Sequence, residues 1–338
     1  MKRALLYEKL EQGKAQCHVC QRRCIIPGGK SGYCQTRVNH HGEVYSLIYG
    51  KVASMAVSPI EKKPMFHFYP GSLWLSLGSY GCNFRCPGCQ NWELAHAKVE
   101  KAVKGSRSIH PEDLVRMAEN QGCKGISWTY NEPTLWLEYT LDGAKLARER
   151  GLLTNYVTNG YITPEALDLM GPFLDSFRVD VKGFTQEAYR YLAHIDDFSS
   201  ILGAAKRAKE KWGMHVEIVT NVTPEINDSE EQFQGIASLI RDSLGKDTPW
   251  HVTRFYPHHH LAHLSTTSIE VLEKGRQIGL KEGLAFVYLG NVPGHEGENT
   301  YCPGCRKLLI RRYIFDIIEN YLVDGKCSYC GCSIPGRF

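Results

Sequence analysis

The sequence predicts an α/β fold in which a partial, open barrel of β/α units carries the functional site. Between about residues 73 and 292, short apolar runs alternate with helical patterns, as expected for parallel strands joined by helices. Polar motifs follow most of the apolar runs directly, and the C-terminal strand ends of such barrels form one face that holds the active site. Six or seven units are too few to close an eight-stranded barrel, so we predict a partial (β/α)6 TIM-like barrel.

The strands and helices of this core are predicted from the period of the apolar residues. The predicted strands cover residues 73–77, 125–129, 153–157, 177–181, 216–220, 250–255 and 285–289. The predicted helices cover residues 111–120, 134–150, 164–170, 185–193, 199–211, 229–243 and 268–281. Pro111 suits a first helical turn and Gly151 suits a helix end.

Two cysteine-containing modules flank the core, which gives predicted domains at residues 1–65, 66–300 and 301–338. The chain has 13 cysteines, and all except Cys123 fall into three groups. In the C-terminal group two C-x2-C pairs have nearly the spacing of a zinc ribbon, with Cys302, Cys305, Cys327 and Cys330 as ligands. The N-terminal group could hold zinc, a second iron–sulfur cluster or no metal, and its uneven C-x2-C-x3-C spacing is not that of a typical zinc knuckle. It comprises Cys17, Cys20, Cys24 and Cys34, before a predicted strand at 43–49.

Composition excludes several classes of protein. The chain of 338 residues is 43% hydrophobic and 22% charged, which is ordinary for a globular enzyme. Its net charge of +4 does not by itself indicate a nucleic-acid or membrane partner. We find no signal-peptide pattern and no apolar run near the roughly 18 residues of a membrane span. We therefore expect a cytoplasmic protein without a membrane partner.

Three cysteines after the first predicted strand, Cys82, Cys86 and Cys89, give the strongest chemical signal. Their spacing is C-x3-C-x2-C, so three thiolates converge on one metal centre. A [4Fe–4S] cluster normally takes four cysteine ligands, and three leave one iron free for another ligand. The alternative is half of a zinc site, but no second C-x2-C pair follows within the next thirty residues. The pattern favours the cluster.

These motifs resemble those of a known family. The segments GCNFRCPGCQNWE, TYNEPTLWLEY, YVTNGY, DVKGF, VTNVTPEIND and VYLGNVPGHEGENTYCPGC resemble the radical S-adenosylmethionine (SAM) enzymes of the AmmeMemoRadiSam group, relatives of the pyruvate formate-lyase and other glycyl-radical enzyme activating enzymes. The resemblance implies a [4Fe–4S] cluster whose open iron binds SAM. It implies reductive SAM cleavage to a 5′-deoxyadenosyl radical. It also favours zinc or no metal at the N-terminal cysteines, because an additional cluster in the related activating enzymes usually follows the SAM triad in sequence. Gly88 replaces the family's usual aromatic residue, and Val157 replaces the acidic residue of the activating enzymes.

The resemblance also assigns residues to SAM. It implies that Glu132 and its neighbour Asn131 hold the SAM amino group, although a carboxylate there could simply cap a helix. Further assignments are the ribose and carboxylate region for Asp180 and Lys182, the ribose side for His259, and an adenine-contacting edge at Asn291. The remaining candidates follow other strands: Thr158, Asn159 and Asn221. Asn159 could instead be part of a turn, and Asp180 and Lys182 a solvated pair.

The sequence therefore predicts a radical SAM oxidoreductase that abstracts hydrogen from an unidentified substrate, a small molecule or a protein, with glycyl-radical activation as one option. It would need an electron donor such as flavodoxin or ferredoxin. The resemblance implies Memo-like and AmmeMemo proteins as partners. The alternatives are an RNA-modifying radical SAM enzyme, although a nucleic-acid partner is not favoured, and a non-catalytic zinc-binding adaptor, against which the intact cysteine triad argues.

Overall fold

The structure, a computed structural model, describes residues 1–338 and is built around one eight-stranded sheet. The strands are β1 (Ser54–Pro59), β2 (Leu73–Gly78), β3 (Gly125–Trp128), β4 (Leu153–Thr158), β5 (Ser176–Asp180), β6 (His215–Val222), β7 (Trp250–Arg254) and β8 (Val287–Gly290). They lie in chain order across the sheet. Strands β2 to β8 are parallel, and β1 pairs antiparallel with β2.

The barrel is open, as predicted, because the edge strands β1 and β8 do not pair with each other. All seven predicted strands are present, with bounds shifted by at most two residues. The sequence did not predict β1, which adds an antiparallel edge from the N-terminal segment. The sheet thus has seven parallel strands, one more than a six-unit barrel.

The connections between the parallel strands are helical, as predicted. The main helices are α1 (Pro111–Asn120), α2 (Leu137–Glu149), α3 (Pro164–Met170), α4 (Gln186–Ala193), α5 (Ser199–Glu210), α6 (Glu230–Leu244) and α7 (Ile269–Lys281). Four begin after a side-chain cap that accepts a backbone N–H bond three residues on; the caps are Thr163, Thr185, Ser229 and Ser268. The helix predicted at 134–150 is instead a 3-10 turn at Pro133–Trp136 followed by α2.

The N-terminal module consists of short strands. Lys2–Arg3, Glu43–Ser46 and Arg37–His40 form one sheet, and Tyr7–Lys9, Ala15–Cys17 and Ile25–Ile26 form another. The strand predicted at 43–49 therefore ends at Ser46. Lys51–Val52 pairs with Arg107–Ser108, and helical turns lie at Glu11–Gly13, Ile60–Lys62, Trp92–Ala95 and Val99–Ala102.

The C-terminal module is a small sheet of Thr300–Tyr301, Leu308–Tyr313 and Asp316–Asn320, followed by the hairpin Leu322–Val323 and Lys326–Cys327. Further helical turns lie at Gly171–Phe173, His259–Leu261 and Glu296–Glu298. No helix of the protein is both long enough and apolar enough to cross a membrane.

The C-terminal module packs against the end of the sheet where the parallel strands begin. The buried Arg312 donates to the Phe66 carbonyl at 3.0 Å, and the His67 ring contacts the Pro335 carbonyl at 2.6 Å. Glu217 of β6, which has no exposed surface, accepts from the backbone N–H groups of Phe66 and His67 at 3.0 and 2.8 Å. A second contact joins it to His251 at 2.6 Å. This end of the barrel is closed, so the site lies at the other end.

Candidate active site

The cysteine triad lies in the loop after β2, at the C-terminal edge of the sheet. Asn131, which follows β3, fixes this loop: its side chain donates to the Gly81 carbonyl at 2.8 Å and accepts from Ser79 N–H at 3.0 Å. Gly81 has a φ of +83°, and a Cβ there would lie 2.5 Å from the Thr36 side chain. Only glycine suits this position, because the loop is pressed against the N-terminal module.

The three thiols suit an iron–sulfur cluster by their chemistry. Cys82, Cys86 and Cys89 are half-buried, and burial raises the pKa of all three, to about 12 for Cys89. A metal would therefore displace their protons on binding. Their sulfur atoms are not gathered as closely as those of a single-ion site, and the loop supplies no fourth cysteine. This donor set fits a cluster with one open iron.

Glu132 lies deep beside the triad loop, where its carboxylate joins two strand ends. Its side chain accepts from Thr134 N–H at 3.0 Å, from the Thr158 hydroxyl at 2.7 Å and from Asn159 N–H at 2.8 Å. The first bond caps the turn after Pro133, which is the helix-cap alternative considered for this residue. Burial raises the pKa of Glu132, although these hydrogen bonds oppose the shift. One acceptor position remains for a ligand.

Asn159 links the end of β4 to the triad loop. Its side-chain amide donates to the Asn83 side-chain oxygen at 2.8 Å, and its own oxygen accepts from Tyr161 N–H at 3.0 Å. The Thr158 hydroxyl accepts from Gly160 N–H at 3.0 Å. These residues form a turn, as the alternative for Asn159 proposed, and this turn contacts the residue after Cys82.

Asp180 and Lys182 lie on the same side of the chain at the end of β5, as strand alternation requires. The Lys182 ammonium is 3.3 Å from the Asp180 carboxylate, which also pairs with Arg178. Burial would lower the pKa of Lys182, but the negative charge of Asp180 outweighs it and raises that pKa. Lys182 therefore carries its positive charge beside the triad.

The candidates on the last strands lie at the outer rim. Asn221 and Asn291 both donate to the Arg254 carbonyl, at 3.2 and 3.0 Å. His259 stacks on Trp92 with ring centroids 4.7 Å apart. The neighbouring His260 N–H donates to the Pro87 carbonyl at 2.9 Å, which attaches this histidine loop to the triad loop.

The space beside Gly88, where the family has an aromatic residue, is occupied by side chains that follow β7. A Cβ on Gly88 would lie 3.0 Å from the Phe255 ring and 3.1 Å from the Leu261 side chain. Phe255 therefore packs where a side chain at position 88 would otherwise lie. Val157, at the position of the acidic residue in activating enzymes, is buried.

Sequence reasoning missed two cations of the barrel interior, Lys63 and Arg178. The Lys63 ammonium contacts only the Ser58 hydroxyl at 3.2 Å among hydrogen-bond partners and lies 5.6 Å from the Tyr130 ring centroid. Burial lowers the pKa of Lys63 to about 7. Arg178 could have been found, because it is two residues from Asp180 on the same strand face. Lys63 lies outside any regular strand pattern, so no periodicity indicated it.

The four C-terminal cysteines are arranged as a compact metal site. The ligand atoms of Cys302, Cys305, Cys327 and Cys330 all lie within 4.8 Å of one another. Two sulfur pairs are separated by 3.6 and 3.7 Å. Burial would raise the pKa of Cys302, but the N–H groups of Cys305 and Gly304 facing its sulfur lower it to about 6. The four sulfur atoms are therefore already placed to bind a metal cation that prefers thiolate ligands.

The structure also brings the four N-terminal cysteines to one cavity, which Asn83 of the triad loop lines as well. Their sulfur atoms do not form a compact set of the C-terminal kind. The cysteine groups of the N-terminal and C-terminal modules therefore differ in geometry as well as in sequence spacing.

Comparison with known proteins defines the class to which this site belongs. Residues 77–237 match the radical SAM superfamily, and this segment contains the triad loop, Glu132, Asn159 and Lys182. The chain belongs to the radical SAM superfamily, whose members use a [4Fe–4S] cluster and SAM.

Individual proteins are similar to this chain in sequence or in fold. An uncharacterised protein of Methanocaldococcus jannaschii is 43% identical over 98% of both chains. A putative glycyl-radical enzyme activating enzyme of the same organism is 25% identical, covering 64% of this chain and 79% of that protein. Among solved structures, a radical SAM methyltransferase from Sphaerobacter thermophilus shares the fold at a TM-score of 0.51 and 18% identity, covering 68% of this chain and 71% of that one.

Proposed function

We propose that this protein cleaves SAM reductively and uses the resulting radical to abstract a hydrogen atom from its substrate. The observation that carries the proposal is the triad loop itself. Three thiols of one loop, with no fourth cysteine in that loop, lie at the C-terminal edge of the sheet, next to Glu132 and Lys182. In a radical SAM superfamily member this arrangement supports catalysis over the adaptor alternative.

Each residue of the site would have its own role in binding the cluster or SAM. Cys82, Cys86 and Cys89 would hold the cluster, which when bound supplies the electron that cleaves a C–S bond of SAM to give methionine and a 5′-deoxyadenosyl radical. Glu132 has one free acceptor position, and we assign the SAM ammonium to it because a charge-assisted bond suits a buried carboxylate. Lys182 holds a positive charge beside the cluster thiolates, and Asn131 holds the triad loop in place.

The outer rim would position the remainder of SAM. We assign the ribose and carboxylate region to Asp180 and Lys182, and the ribose side to His259. The adenine edge falls to Asn291, and Asn221 supports the same rim through the Arg254 carbonyl. Thr158 and Asn159 would act mainly by holding the Glu132 carboxylate.

The substrate class follows from the relatives and not from the site. A relative named as an activating enzyme supports a hydrogen on a glycine Cα of a partner protein as the first substrate to test. The electron would come from a small carrier such as flavodoxin or ferredoxin. Partnership with Memo-like and AmmeMemo proteins is part of the same proposal.

The C-terminal module would bind one zinc ion through Cys302, Cys305, Cys327 and Cys330. Tetrahedral zinc has Zn–S bonds of about 2.3 Å, which separates neighbouring sulfurs by about 3.8 Å. The observed separations of 3.6 and 3.7 Å support this assignment. The metal would stabilise the module that closes the barrel and would take no part in the reaction.

The decisive experiment measures SAM cleavage directly. Anaerobic protein reconstituted with iron and sulfide and reduced with dithionite should convert SAM to 5′-deoxyadenosine. A variant with Cys82, Cys86 and Cys89 all changed to alanine should form none. Equal 5′-deoxyadenosine formation by both proteins would refute the proposal, and an inactive wild-type protein with a complete cluster would favour the adaptor alternative.

A further inference from the structure

Four cysteines of the N-terminal module lie around one cavity. Cys17, Cys20 and Cys34 are buried and Cys24 is half-buried, and all four are free thiols. They line the cavity together with side chains that include Arg22, Arg37 and Asn83. Four converging thiols with two guanidinium groups beside them form a set of ligands for a metal centre whose thiolates carry negative charge.

The separation of the sulfur atoms distinguishes between the two metal centres that could occupy such a set. A single tetrahedral zinc ion holds its four sulfurs about 3.8 Å apart. The C-terminal cysteines meet this requirement, whereas no three of the N-terminal cysteines have sulfur atoms within 4.8 Å of one another. The triad cysteines share this wider spacing. A [4Fe–4S] cluster binds each cysteine through a different iron, so its ligands stand further apart.

We infer that Cys17, Cys20, Cys24 and Cys34 hold a second [4Fe–4S] cluster with a complete set of four protein ligands. This differs from the zinc or metal-free interpretation that the family resemblance favoured. Because all four irons have a cysteine ligand, this cluster has no open iron for SAM.

Two buried donors without partners support a ligand in this cavity. Arg37 is 1% exposed; two of its nitrogens bond to Glu138 at 2.9 Å, but its Nε has no hydrogen-bond partner. Asn83 has no exposed surface; its side-chain oxygen accepts from Asn159, and its Nδ2 has no partner. Buried polar groups rarely stay unpaired, and cluster and thiolate sulfurs accept such hydrogen bonds.

The inferred site lies directly against the triad loop. Arg22 donates to the Asn83 carbonyl at 2.6 Å and lies over the Tyr33 ring at 3.5 Å. Asn83 follows Cys82 in the chain, so one residue contributes to the walls of both sites. The second cluster would therefore precede the triad in sequence and be its neighbour in space.

A variant that leaves the N-terminal cysteines intact tests this inference. The triple alanine variant of Cys82, Cys86 and Cys89, reconstituted anaerobically, should still bind about four irons and four sulfides per chain. Its Mössbauer spectrum should show a [4Fe–4S] cluster, and its reduced electron paramagnetic resonance signal should not change when SAM is added. A triple variant with no iron, or with two zinc ions per chain, would overturn the inference.

A second measurement uses the complementary variant. Wild-type protein should hold about eight irons per chain, and the variant with Cys17, Cys20, Cys24 and Cys34 changed to serine should hold about four. A full eight irons in that variant would also overturn the inference. The result is separable from the proposed function, because iron in the triple alanine variant does not depend on whether the wild-type protein cleaves SAM.

Discussion

Replacing Glu132 by glutamine tests both the architecture of the site and its proposed ligand. The Glu132 carboxylate accepts three hydrogen bonds, from Thr134 N–H, the Thr158 hydroxyl and Asn159 N–H, at 2.7 to 3.0 Å. An amide has only one acceptor oxygen, so in either orientation its NH2 group faces a backbone N–H and leaves it unpaired. An unsatisfied buried donor costs about 1–3 kcal/mol. We expect the free energy of unfolding of Glu132→Gln to fall by about this amount.

The assay compares guanidinium unfolding, followed by circular dichroism under anaerobic conditions, with that of a matched control, Glu165→Gln. The Glu165 carboxylate is 47% exposed and pairs with Arg23 at 2.9 Å, and such surface pairs contribute about 0–1 kcal/mol. Equal stability of the two variants would refute the hydrogen-bonding role of Glu132.

The same variant tests the assigned ligand. Losing a charge-assisted bond of about 1.5–3 kcal/mol should weaken SAM binding roughly ten- to hundredfold, measured by calorimetry on reconstituted protein. Unchanged SAM affinity would refute the assignment of the ammonium to Glu132 while leaving its structural role intact.

Four further variants have defined outcomes. Burial lowers the pKa of Lys63 to about 7, so between about pH 7 and 10 the unfolded chain binds one more proton than the folded chain. The free energy of unfolding of wild type relative to Lys63→Met should therefore rise with pH by up to about 1.4 kcal/mol per pH unit. A difference that does not change with pH would contradict this. Cys305→Ser should lose zinc, measured by elemental analysis, and should lower the melting temperature while keeping its iron; retained zinc would contradict the site. Gly125→Ala should fail to fold, because its Cβ would lie 2.2 Å from the Leu153 carbonyl oxygen. Gly203 has open space around it in helix α5, so the free energy of unfolding of Gly203→Ala, measured by chemical unfolding, should rise by up to about 1 kcal/mol. Similar stability of the two variants would refute the packing argument.

The core of the fold was predictable because its apolar residues recur with a clear period and because the residues that begin and end its helices are close in sequence. Helix α1 begins at Pro111 and α3 follows its cap Thr163, and both were placed at their observed bounds. The cysteine triad was predictable for the same reason, since its three residues lie within one loop. A motif formed by residues that are close in sequence can be recognised without knowledge of the tertiary structure.

Features that depend on distant residues were not predictable. Strand β1 carries no alternating pattern, and its place is set by pairing with β2. Phe255 fills the space beside Gly88 from the loop after β7, and Lys63 enters the barrel from an irregular segment. The spacing of the N-terminal cysteines gave no distance between their sulfur atoms, because that distance is set by how the module folds against Asn83.

The C-terminal module closes the barrel at the end where the parallel strands begin, so the site is approached from the opposite end. On the sheet face turned away from the helices, Asn155 and Glu217 have no exposed surface, whereas the side chains of Asp180 and Lys182 are 34% and 21% exposed. Exposure thus rises towards the cysteine edge, so water, cosubstrate and substrate share one entrance there. A substrate that binds after SAM through this entrance would cover it and would itself keep solvent away from the radical.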